Sequence, residues 1–164
     1  MEINVVSGDI TQQRVPAIIV NLFEGVTAPD GATRSVDRAL DGTISRLIEE
    51  GEVKGKRGEM TLIHTLGKMA PSRVLVAGLG SSKDFTLETI RFVAAESCRY
   101  LRRVGVETAA TIAHGAGIGD LDARDAGEAI AVGSILGLYR FDTYKSETND
   151  RADIRELTIV EFDS

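Results

Sequence analysis

Ala17-Ile-Ile-Val-Asn21 decides how this chain folds. The run is short, unbroken, apolar and rich in β-branched residues, which is the pattern of a strand covered on both faces. Pro16 opens it, and Asn21 closes it with a polar side chain. Such a strand belongs in the middle of a sheet with helices above and below, so the flanking sequence must supply both more strands and amphipathic helices.

Outward from this strand, both are present. Upstream, Glu2-Ile-Asn-Val-Val6 alternates and runs into Ser-Gly-Asp, a strand entering a loop. Downstream, Val36, Ala39, Leu40, Ile44, Leu47 and Ile48 recur at helical spacing, which predicts one helix over 35–50 ending at Gly51 in the left-handed conformation. Strands are expected over 60–65 and 73–77, separated by Gly67 and Pro71 and close enough to pair as a hairpin. Thr86 is placed as the N-cap of a helix reaching Val104, with Arg102 and Arg103 in its last turn and Gly105 beyond. A strand over 108–113, a helix from Asp122 to about Tyr139, a polar loop over 145–153 and a closing strand over 154–162 complete the chain. The order predicts an α/β fold: a three-layer α/β/α sandwich with a mixed sheet, forming a single domain over 1–164.

At 164 residues the chain is long enough to bury roughly 70% of its unfolded surface. Its 43% hydrophobic and 27% charged residues, with mean hydropathy −0.02, place it with ordinary globular proteins. A net charge of −6 opposes binding to a phosphate backbone or an anionic membrane, which need clustered Lys and Arg, so neither nucleic acid nor membrane is an expected partner. One cysteine forms no internal disulfide, the first strand follows no signal-peptide pattern, and no apolar run approaches the ~20 residues of a bilayer span. The expected location is cytoplasmic.

The residues that could carry chemistry are few. His64 lies within a strand and His114 at a strand end; neither has a ligand-spaced partner, so no metal site is expected in this chain and both are read as structural. Cys98 is placed mid-helix as a small packing residue, away from any helix N-terminus that would stabilise a thiolate. Gly78-Leu-Gly80-Ser-Ser-Lys83 stands between a strand and a helix, where backbone N–H groups can cradle phosphate, but it lacks the further glycine or Gly-Lys-Ser/Thr of the known motifs, and tight turn geometry explains its glycines about as well. His114-Gly-Ala-Gly-Ile-Gly119 would allow close backbone approach, yet Asp120, Asp122 and Asp125 suit helix capping better than anion binding. Asp125 and Glu128 are read as solvated, Gly133 and Gly137 as points of close helix-to-sheet packing, and Asp9 as a turn or cap residue.

Several segments together resemble the N-terminal domain of leucyl aminopeptidases: Val5-Val-Ser-Gly-Asp-Ile-Thr11, the 17–21 strand, the segment from Leu40 through Gly51-Glu-Val-Lys-Gly-Lys-Arg-Gly58, Val74-Leu-Val-Ala-Gly-Leu-Gly80, and Leu138-Tyr-Arg-Phe-Asp-Thr-Tyr-Lys145. The most specific are the Gly51–Gly58 turn and the Tyr-Arg-Phe-Asp-x-Tyr-Lys block. The resemblance implies a macro-like, non-catalytic domain that packs on a C-terminal catalytic domain and supports assembly of a hexameric peptidase. It further implies that the two divalent metal ions, zinc or manganese, belong to that other domain, which has no match in this sequence, and that the partners are that domain and the other subunits. Kinship with macro domains supplies an alternative, a module binding ADP-ribose or a related nucleotide. In that case Asp9 would contact the adenine, Ile10 and Asn21 would lie at the ligand, and Gly117, Ile118 and Gly119 would form a phosphate loop. The sequence departs from those binders after Asn21, where Leu22-Phe-Glu-Gly stands in place of their Ala-Ala-Asn.

Overall fold

The structure, a computed structural model, describes residues 1–114, 121–139 and 153–162. Its elements are β1 (Glu2–Gly8), β2 (Ala17–Phe23), α1 (Gly31–Ala39), α2 (Thr43–Glu49), β3 (Met60–His64), β4 (Arg73–Gly80), α3 (Leu87–Arg103), β5 (Thr108–Ile112), α4 (Ala123–Leu138) and β6 (Glu156–Phe162), with a short 3-10 turn at Ile10–Gln12. The strands form one sheet in the order β1-β6-β5-β2-β4-β3. All neighbours run parallel except β3, which pairs antiparallel with β4 through contacts such as Thr61 with Val76. The sheet is mixed, with the expected hairpin at its β3 edge.

β2 takes the central place its composition requires, between β5 and β4. Ala17 and Ile19 enter one core with Ile90, Val93 and Leu101 of α3 and Ala129 and Ile130 of α4. Ile18, Val20 and Leu22 enter a second core with Val36 of α1 and Ile44 of α2. Each fully buried aliphatic side chain here contributes about 1.5–3 kcal/mol. Helices therefore cover both faces, and the three layers follow from the alternation of β2.

The single helix expected over 35–50 is two. Asp41 (φ 55°) and Gly42 (φ 83°) adopt left-handed conformations that end one helix and turn the chain into the next. Asp37 makes the break stable: its carboxylate accepts from Ser45 N (3.0 Å) and Ser45 Oγ (2.5 Å), satisfying an N–H in the first turn of α2. The first helix also begins earlier than expected, with Asp30 accepting from Gly31 N.

Gly133 and Gly137 mark contact between helices, which corrects the helix-to-sheet reading. A Cβ on Gly133 would lie 2.3 Å from the Arg91 carbonyl oxygen of α3, and one on Gly137 would lie 2.6 Å from Ala95 Cα. The close approach lets Arg99 Nε donate to Gly137 O (2.9 Å) and Arg102 to Leu138 O (3.2 Å), so α3 satisfies the last carbonyls of α4. The expected N-caps Thr86 and Asp122 and the left-handed Gly51 and Gly105 are all found. The 145–153 loop lies outside the described residues except for Asp153.

The ladders between strands are unequal. β1 and β6 pair over seven positions, whereas β2 and β5 pair over three, from Ala17–Ala109 to Ile19–Thr111.

Candidate functional site

β2 and β5 are parallel neighbours whose chains leave toward opposite faces, β2 into α1 and β5 toward α4. Their C-terminal ends thus frame the topological switch point, the place where open α/β sheets bind ligands. Asn21 lies near the end of β2 and His114 follows β5.

These two residues meet. Asn21 Nδ2 donates to His114 Nδ1 at 2.9 Å, and His114 Nε2 lies 3.2 Å from Thr111 Oγ1, whose hydroxyl donates to the Ile112 carbonyl (3.0 Å). An amide nitrogen can only donate, so Nδ1 accepts and the proton sits on Nε2. The ring is 1% exposed, and burial pushes its pKa from 6.5 down to about 4. Thr33 of α1 donates to the Asn21 carbonyl (2.8 Å), so both ends of Asn21 are tied within the fold. Sequence reading missed this network, although polar Asn21 and Thr111 in otherwise apolar strands were a signal for it.

Asp9 follows β1, which two strands separate from β2. Its Oδ1 accepts from Thr11 N (2.8 Å) and Thr11 Oγ1 (2.7 Å), capping the 3-10 turn, while Ile10 is buried in the α1 and α2 core. Gly117, Ile118 and Gly119 lie outside the described residues.

The Gly78–Gly80 segment is strand, not turn, and its backbone is already engaged. The strap over 54–59 lies against the end of β4, with Gly78 N donating to Glu59 O (2.7 Å), Gly80 N to Gly55 O (2.8 Å) and Gly58 N to Gly78 O (3.0 Å). A Cβ on Gly78 would fall 2.0 Å from the Lys56 carbonyl oxygen, and one on Gly55 2.4 Å from that of Phe23. Only glycine fits there because another backbone occupies the space. Glu59 Oε1 fixes the strap through Lys54 N (2.8 Å), and the Arg57 guanidinium stacks 4.5 Å from the Phe92 ring centroid.

Elsewhere, Cys98 is buried on α3 and its thiol pKa is pushed up by desolvation, partly offset by Ser134 and Arg102. Ser134 Oγ is buried and faces that thiol. His64 is exposed on the edge strand, as are Asp125 and Glu128 on α4. Among the described residues no three His, Cys, Asp or Glu side chains converge as a metal site, and no helix is long and apolar enough to cross a membrane.

Sheet order and layers define a macro-like α/β domain, and solved structures share it. The chain is similar to a Trypanosoma brucei macrodomain in complex with ADP-ribose (TM-score 0.74, 13% identity, covering 99% of this chain and 64% of that one). It is also similar to a mutant of tomato leucine aminopeptidase (TM-score 0.77, 19% identity, covering 98% of this chain and 32% of that one). At these identities the likeness concerns the fold. The sequence itself decides further: residues 19–148 match the cytosol aminopeptidase family, N-terminal domain, and the chain belongs to that family as its N-terminal domain. It is 31% identical over 162 residues to a probable cytosol aminopeptidase of Alkaliphilus metalliredigens and 35% identical over 161 residues to one of Geobacter sp. strain M21. Each alignment covers 98% of this chain and 32% of the relative, so the chain spans about a third of the length of the curated relatives it matches.

Proposed function

We propose that this chain is the non-catalytic N-terminal domain, over 1–164, of a cytoplasmic metal-dependent leucyl aminopeptidase. In this reading it supports the packing and oligomer assembly of an enzyme that removes N-terminal residues from peptides. The observation that carries this is the match of 19–148 to the family's N-terminal domain in a chain one third the length of its relatives. The polar groups at the switch point agree with it, since Asn21, His114 and Thr111 bond to one another. The described residues offer no donor set that fits a metal, so the two divalent ions, zinc or manganese, would be held by the catalytic domain and by none of these side chains.

The test is to follow the reading frame beyond Ser164, express the whole protein and this chain separately, and assay leucine anilide hydrolysis with added manganese. The whole protein is expected to turn over substrate and the 164-residue chain to show none. Turnover by the short chain would refute the non-catalytic role.

A second reading, a module for ADP-ribose or a related nucleotide, has behind it the position of Asn21 at the switch point of a macro-like fold, with Asp9, Ile10, Gly117, Ile118 and Gly119 as its further candidate contacts. Calorimetric titration with ADP-ribose decides it. Saturable heat abolished by Asp9→Ala would favour the module, and absence of heat would remove it.

A further inference from the structure

α4 is more apolar than its packing requires. Ala126, Ala129, Ile130, Gly133 and Gly137 are buried on the side facing α3 and the sheet. On the outward side Val132, Ile135, Leu136 and Tyr139 recur at i, i+3, i+4 and i+7, and Leu136 and Tyr139 are 65% and 74% exposed. A helix apolar on both sides is an interior helix, and a surface helix would carry polar residues on this second stripe. The stripe adjoins Ala131, which lines a groove of about 250 Å³ between α4 and the edge of the sheet, with Ile3, Val5 and Ile159 also in its lining. Val5 is 61% exposed. The apolar stripe and the groove form one continuous face, rimmed by Arg124, Glu128 and Glu161. Single exposed apolar residues are ordinary, whereas a contiguous patch with a charged rim marks an interaction surface.

We propose that the outward face of α4, together with the β1 groove, is the surface on which the catalytic part of the same polypeptide docks. This rests on the reading of the chain as one domain of a longer peptidase. The occupant follows from length and position. The relatives are about three times as long, and the matched region is their N-terminal domain, so the remainder follows β6. Glu161 and Phe162 of β6 pair with Ser7 and Gly8 of β1, and Glu161 itself lines the groove. The continuing chain therefore leaves the sheet at the margin of the uncovered face, where a short path brings it over α4.

Thiol labelling of Leu136→Cys in the 164-residue chain and in the whole peptidase tests this, with Glu50→Cys at the end of α2 on the opposite layer as control and the buried Cys98 of the unsubstituted chain as background. A docked face closed for nine-tenths of the time or more slows maleimide labelling at position 136 by about tenfold or more in the whole peptidase. The control should label equally in both. Equal rates at position 136, whether both fast or both slow, overturn the proposal. So does protection within the short chain that grows with its concentration, which would assign the face to a second copy. Leucine anilide hydrolysis is measured on the same samples. An active peptidase with equal labelling rejects only the docking face, while a frame that ends at Ser164 rejects the parent reading and the docked occupant together.

Discussion

Acidification should expose the cost of holding His114 neutral. In the unfolded chain its imidazole titrates near 6.5, and in the fold near 4, because the buried ring cannot be solvated as a cation. Above pH 6.5 both states are neutral and nothing is lost. As pH falls below that value the unfolded chain takes up a proton that the fold refuses, so stability declines and the decline is complete near pH 4. At about 1.4 kcal/mol per pH unit the full loss is about 3 kcal/mol, of which about 2 kcal/mol is already present at pH 5. Urea unfolding of the native chain and of His114→Gln at pH 7.5 and pH 5 isolates the effect. The variant starts less stable, because Asn21 and Thr111 lose a partner, but the difference between the two proteins should shrink by about 2 kcal/mol at pH 5. A difference that stays constant with pH would refute the neutral, buried imidazole.

Other perturbations probe the packing. Gly78→Ala should cost more than about 3 kcal/mol, since its Cβ meets the Lys56 carbonyl at 2.0 Å and the strap must leave β4; a lowered urea midpoint checks it. Gly133→Ala should cost about 1–3 kcal/mol or more by forcing α4 off Arg91, whereas Gly127→Ala in the same helix, with no atom within 4 Å, should gain about 0.5–1 kcal/mol. Calorimetric melting would show the opposite signs. Asp37→Ala should cost about 1–2 kcal/mol by freeing Ser45 N, and Asp37→Asn less, because an amide oxygen can still accept from that N–H.

What could be read in advance depended on how local its cause was. β2 announced its central position because both of its faces are apolar and no register is needed to see that. Thr86, Asp122, Gly51 and Gly105 were legible because caps act within one helical turn. The break at Asp41 was not, because Asp37 stabilises it from the preceding helix and the apolar spacing of Val36, Leu40 and Ile44 continues across it unchanged. The glycines misled for a related reason. Gly78 and Gly133 resemble turn or sheet-packing residues in sequence, and only the Lys56 and Arg91 carbonyls brought beside them explain the missing side chain. At the switch point, Asn21 stands out as a polar residue closing an apolar strand, but its pairing with His114 joins residues far apart in the chain and no spacing predicts it.

The short ladder between β2 and β5 gives the sheet a seam. Three paired positions join β1, β6 and β5 to β2, β4 and β3, and just past the last of them the backbone contact is taken over by the side chains of Asn21 and His114. With so short a ladder, this one side-chain bond is what closes the upper end of the seam between the two halves. Amide hydrogens that cross the seam between Ala17–Ile19 and Ala109–Thr111 should then exchange through a smaller opening than those of β4, and loss of the Asn21–His114 bond should let the sheet begin to unzip along its middle.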